Sequence, residues 1–87
     1  TKINMSNYPT IIDVRTHAEY SGGHVAGSIN IPLQEIANRV DEVKELPQPI
    51  LFCCASGMRS GQATNYFKSI GVDCENGGGW MEVNGRI

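Results

Sequence analysis

The segment Ile50-Leu51-Phe52-Cys53 limits the possible folds more than any other part of the chain. It is apolar at every position, with no alternate residue suited to facing water. A strand of this kind is covered on both faces, as central strands of parallel sheets are. It runs into Cys54-Ala55-Ser56-Gly57-Met58-Arg59-Ser60, a short stretch of small and polar residues. Beyond that, Ala63, Phe67 and Ile70 recur at helical spacing. Gly71 then stands where a helix commonly ends in a left-handed residue. Strand, loop and helix in this order make one unit of a parallel α/β domain.

The rest of the chain fits the same plan. Ile11-Ile12-Asp13-Val14 is short, β-branched and apolar, and reads as a buried strand. Thr16-His17-Ala18-Glu19 has the spacing of a capping box, so a short helix follows and ends at Gly22-Gly23. Ile29-Asn30-Ile31 reads as another short strand, closed by Pro32. Leu33, Ile36, Ala37, Val40 and Val43 fall on one face of a single helix, which Leu46-Pro47-Gln48-Pro49 stops. Val72-Asp73-Cys74 is a weaker last strand. Asn76-Gly77-Gly78-Gly79-Trp80 reads as a turn whose tryptophan packs back on the core, and residues 82–87 carry no signal. The expectation is one α/β domain over residues 1–87, with a small, mainly parallel central sheet flanked by helices on both faces. Functional groups of such sheets gather beyond the carboxyl ends of the strands, where the loop after Cys53 lies.

Charge and composition exclude several classes of function. The net charge of -2 gives no basic excess for nucleic acid or an anionic membrane surface. No apolar run approaches the ~20 residues that span a bilayer, and the start lacks the basic-then-apolar pattern of a signal peptide. A monomer in the cytoplasm is expected, with the periplasm as the alternative if a leader has been removed. Cys53, Cys54 and Cys74 form an odd set, which argues against a disulfide framework. No metal is expected, since His17 and His24 lack zinc spacing and no Cys-x2-Cys pair exists.

The loop has the parts of an anion cradle. Successive backbone N–H groups can converge on one point, the following helix adds its positive end, and Arg59 adds a fixed charge with a planar fork of donors. A cysteine in that field favours its thiolate, the nucleophilic form. Cys53 most economically stays in the strand, whereas Cys54 opens the polar segment. The bland alternative is that both cysteines are core residues and the loop a plain turn.

Taken together, "IIDVRTHAEYSGGHVAGSINIP" and "ILFCCASGMRSGQA" resemble the two signature segments of the rhodanese family. The match runs from about Ile11 to Trp80. Its Cys-x-x-Gly-x-Arg-Ser pattern falls on Cys54, Gly57, Arg59 and Ser60. The resemblance implies a sulfurtransferase in which Cys54 accepts sulfane sulfur from thiosulfate or another persulfide donor. Ala55, Ser56, Gly57, Met58, Arg59 and Ser60 would hold the anionic donor. The persulfide would then pass to cyanide or a thiol, including a thiol on a protein, with no cofactor. Asp13 and Arg15 would support the surrounding loops, Arg15 could pair with Glu19, and His24 would make a structural hydrogen bond. Met58 and Gln62 would shape access, Cys74 would pack, and Cys53 could serve as a resolving thiol despite its awkward position.

The sequence departs from the family in two places. Before Ile11 only Lys2-Ile3-Asn4 stands where a first strand and helix would begin. After Cys74, the glycines run almost directly into Trp80. Two other functions remain as alternatives. One is a relay or binding module that carries a persulfide to a protein partner. The other is a phosphatase or arsenate reductase, which would use the longer count from Cys53 to Arg59.

Overall fold

The computed structural model describes residues 7–86, so Lys2-Ile3-Asn4 lies outside the described residues. The strands are β1 (Thr10–Asp13), β2 (Ile29–Asn30), β3 (Ile50–Cys54) and β4 (Cys74–Gly79). They form one sheet in the order β2-β1-β3-β4, with every neighbouring pair parallel. The helices are α1 (His17–Ser21), α2 (Val40–Lys44), α3 (Met58–Ser69) and α4 (Trp80–Asn84), with a 3-10 helix over Leu33–Asn38. None is long and apolar enough to cross a membrane.

β3 is central and buried along its whole length. Its side chains alternate between two cores, as a period of two requires. Ile50, Phe52 and Cys54 enter the larger core with Ile12, Ile36, Val43, Ala63 and Phe67. Leu51 and Cys53 enter a smaller one with Val25, Val83 and Trp80. Phe52 and Phe67 stack with ring centroids 5.4 Å apart and fix α3 over the sheet. Burying each of them contributes about 1.5–3 kcal/mol. Because the sheet is parallel, Asp13 lies beside Asn30 and Cys53, and Cys54 beside Gly79. Four strand ends thus meet at one edge.

The sequence reading needs correction in five places. The single helix from Leu33 is two pieces, broken at Arg39 (φ -126°, ψ 24°). Leu33 and Ile36, three apart, suit a 3-10 helix as well as an α-helix, and Arg39 at the break bonds Glu35 on one side and Glu42 on the other. β3 continues through Cys54, so this cysteine ends the strand rather than opening the loop, and α3 begins at Met58.

On α3 the buried face is Ser60, Ala63, Thr64 and Phe67, while Ile70 is 37% exposed. The helix stops there. Gly71 (φ +91°) donates its N–H to Lys68 and Val72 donates to Phe67, at 3.2 and 3.0 Å, the paired bonds of a Schellman ending. Val72 takes the core position instead.

The last strand is Cys74–Gly79, not Val72–Cys74 followed by a turn. A Cβ on Gly77 would lie 2.9 Å from the Leu51 side chain, and one on Gly79 would lie 2.9 Å from the Ala55 carbonyl oxygen. Only residues without side chains let β4 approach so closely. The pairing shifts between Phe52 and Cys53, leaving Gly77 as an extra residue, which bends the strand as a bulge does. Trp80 then opens α4, which gives helical structure to a tail that carries no sequence signal.

Candidate active site

Gly57 caps α3 in the left-handed conformation (φ +101°) and has no side chain of its own to cap the helix. A helix start leaves several N–H groups without partners. Here the sulfur of Cys54 receives them. Gly57 N–H donates to Sγ at 3.0 Å and Ser60 N–H at 3.4 Å, while the Ser60 hydroxyl lies 3.3 Å away. The sulfur therefore fills the position that a serine or aspartate N-cap usually fills. Burial alone pushes the Cys54 thiol up. The Ser60 hydroxyl and the N–H groups of Ser60, Gly57 and Ser56 more than offset this and hold it below its ordinary value. Arg59 is not among the leading causes; the Ser60 hydroxyl and the backbone N–H groups are.

Ser60 is fully buried, and its single hydroxyl proton faces two acceptors, Sγ and the Asn76 Oδ1 at 2.7 Å. Asn76 also donates to the Gly57 carbonyl at 3.0 Å and accepts the Gly78 N–H at 3.0 Å. It ties β4 to the loop at two points. The sequence reading missed it because it sits in a stretch that looks like a turn.

A depressed thiol pKa makes the thiolate available at lower pH, so reaction of Cys54 with an alkylating reagent should rise with pH through that value and then level off. Ser60→Ala removes one donor and moves the rise to higher pH. Alkylation at pH 6 is expected to slow by about tenfold with little change at pH 9. A pH profile of alkylation rates checks this.

Arg59 is held by Glu19. Its two terminal nitrogens bind the two carboxylate oxygens of Glu19 at 2.7 and 3.0 Å. Arg59 and the backbone of Thr16 hold the Glu19 carboxyl at about 2, well below its ordinary 4.5. The pair is therefore intact above the ordinary carboxylate range and is lost as pH falls toward 2. Glu19 also closes the capping box of α1, accepting the Thr16 N–H at 3.0 Å and donating its own N–H to Thr16 Oγ1 at 3.2 Å. The expected Arg15–Glu19 ion pair is absent. Arg15 binds the carboxylate of Asp13 through Nε and Nη2 at 2.8–3.0 Å and donates to the carbonyls of Gly23 and Glu19. Its guanidinium lies 4.7 Å from the Trp80 ring centroid. Asp13 and Arg15 are both buried and join β1, α1 and α4 behind the loop.

Cys53 is turned away from Cys54 and from the N–H groups around the Cys54 sulfur. Its side chain enters the smaller core, on the opposite face from Cys54. Burial, then the nearby charge of Asp13, pushes its thiol up to about 12. Cys74 is buried too, and burial raises its thiol; its Sγ lies 3.6 Å from the Thr64 carbonyl oxygen. His24 stacks on Tyr20 at 3.8 Å, with Nδ1 2.8 Å from the Tyr20 carbonyl. Ala55 and Ser56 are exposed on the loop. Met58 is 76% exposed, and Gln62 lines a groove of 220 Å³ with Leu33, Ile36, Ala37, Ala63 and Tyr66. Among the described residues, no three His, Cys, Asp or Glu side chains gather as a metal site.

Comparison with known proteins gives concordant matches. The rhodanese-like domain family matches residues 2–84. An uncharacterized protein of Bacillus subtilis, YqhL, is 34% identical over 79 residues, covering 88% of this chain and 62% of its own length. The thiosulfate sulfurtransferase PspE of Escherichia coli is 36% identical over 74 residues, covering 83% of this chain and 71% of its own. The solved structure of a rhodanese with anions from E. coli superposes with a TM-score of 0.75 at 35% identity, covering 84% of this chain and 88% of that one.

Proposed function

We propose that this chain, which belongs to the rhodanese-like domain family, moves sulfane sulfur through a persulfide on Cys54. The observation that supports this most is the set of N–H and O–H donors around the Cys54 sulfur. Donors placed in advance around an anionic centre stabilise it without reorganisation. The Cys54 thiolate attacks the outer sulfur of the donor. A new S–S bond forms to Cys54 as the donor's own S–S bond breaks, and the electron pair of that bond leaves with sulfite, or with a thiolate if the donor is an organic persulfide. A thiol or cyanide then takes the outer sulfur and the Cys54 thiolate returns. Cys54 has no exposed surface, so the donor reaches it by displacing the exposed Ala55–Ser56 segment.

Relatives named as thiosulfate sulfurtransferases in E. coli and Pseudoalteromonas translucida support this reading. We place the protein in the cytoplasm, working as a monomer, where reducing conditions keep thiols free; its three cysteines are unpaired.

Thiosulfate treatment should add one sulfur atom, seen by intact mass and mapped to the peptide holding Cys54. Cys54→Ser should lose this uptake and drop thiocyanate formation from cyanide to the uncatalysed rate, while Cys53→Ala should retain both. Uptake by Cys54→Ser, or its loss in a folded Cys53→Ala, would falsify the assignment.

A further inference from the structure

We propose that Glu19 is a specificity-determining residue. By neutralising Arg59 it selects against dianionic sulfur donors such as thiosulfate, in favour of organic persulfides of low charge. This rests on the sulfur-transfer reading of Cys54 and deepens it.

The case begins with charge at the mouth of the loop. Arg59 is the cation of the Cys-x4-Arg loop, yet both of its terminal nitrogens hold the Glu19 carboxylate. Arg15, the next cation inward, is held by Asp13. Arg39 and Lys68 are committed to glutamates elsewhere. On the β4 side, Glu82 Oε1 lies 3.5 Å from the point where a Gly79 Cβ would stand, beside the Ala55 carbonyl. The thiolate of Cys54, Glu19 and Glu82 together outweigh the one charge of Arg59. At the loop itself, an anion is attracted by the N–H groups and the positive end of α3, worth roughly half an elementary charge.

A dianion approaching a thiolate in these surroundings is repelled, because like charges a few ångströms apart interact by kilocalories at the dielectric of a protein surface. A protonated persulfide, R–S–S–H, brings no such charge. Its transfer balances as R–S–S–H with Cys54–S⁻ giving Cys54–S–S–H and R–S⁻. The leaving thiolate carries one negative charge, where thiosulfate would release a sulfite dianion.

Glu19→Gln isolates the charge. Glutamine can replace glutamate in a capping box, so α1 keeps its start while Arg59 becomes a free cation. The experiment compares kcat/KM for thiosulfate and for the persulfide of 2-mercaptoethanol, in the whole chain, with Cys54 persulfide as the readout. The ratio of thiosulfate to organic persulfide is expected to rise about tenfold in Glu19→Gln, within the range of electrostatic steering. The variant's thiosulfate rate is expected to gain less from added salt than that of the unaltered protein, since one repelling charge is gone and less repulsion remains to be screened. In the unaltered protein it should stay flat or rise with salt, a measurement that needs no variant. Parallel changes with both donors, a lower ratio, or a thiosulfate rate that falls with salt in the unaltered protein overturns the role of Glu19 and leaves sulfur transfer standing. No persulfide from either donor overturns both.

Discussion

Asp13→Ala is expected to remove about 3–5 kcal/mol of folding stability, the typical effect of leaving one member of a buried ion pair alone. Asp13 has no exposed surface and Arg15 almost none. The carboxylate accepts three bonds from the guanidinium and one from the Arg15 backbone. Without it, the Arg15 cation stays buried with two carbonyls and the Trp80 ring as partners. Small domains have about 5–15 kcal/mol in total, so much of the margin goes. Urea titration measures it as a lower midpoint with an unchanged slope. Adding Arg15→Leu should restore part of the loss, since replacing both charges with apolar groups is often close to neutral. The recovery is partial because Arg15 also joins α1 to α4. A folded Asp13→Ala chain with an unchanged midpoint would show that the pair contributes nothing net.

Gly57→Ala should leave most of the fold and slow sulfur uptake by about a hundredfold. Gly57 has φ +101°, and a Cβ there would stand 3.2 Å from the Gly78 Cα. The left-handed conformation costs an alanine roughly 1–2 kcal/mol, and β4 is too close to give way freely. The loop relieves both by turning, which carries the Gly57 N–H off the Cys54 sulfur. Loss of one such donor from a site that stabilises developing charge costs about 10²–10³ in rate. Single-turnover formation of the persulfide reads the effect, and circular dichroism verifies the fold. A rate within threefold of the original would remove the Gly57 donor from the mechanism.

The strands that use β-branched and apolar residues, β1 and β3, were legible in the sequence, as were the Thr16–Glu19 capping box and the Gly71 helix ending. Each rests on contacts within a few residues of chain, or on burial strong enough to imprint on composition. β4 was not legible, because a strand of asparagine and glycine has no β propensity. It exists because β3 and the loop leave space for backbone alone. In the site, the loop pattern identified Cys54 and the small residues around it. It could not show that Glu19, 40 residues earlier, occupies Arg59, because that contact depends on α1 folding back over the loop. Arg15 misled for a related reason: spacing of four suggests Glu19, but only α1 itself is helical, and Arg15 lies before its cap.

The two adjacent cysteines face opposite sides of the sheet, and this gives the loaded protein a particular timing. The other thiol on the side of Cys54, Cys74, sits beside Ile50 at the far end of β3, too far to close a disulfide, so in the proposed transfer a sulfur atom once accepted has no internal exit. The lifetime of the charged state is therefore set by whichever acceptor arrives from outside, and by how often the loop parts to let it in. In the proposed transfer β3 acts as a partition: one thiol carries the sulfur, while its neighbour, one residue away along the chain, faces the other core.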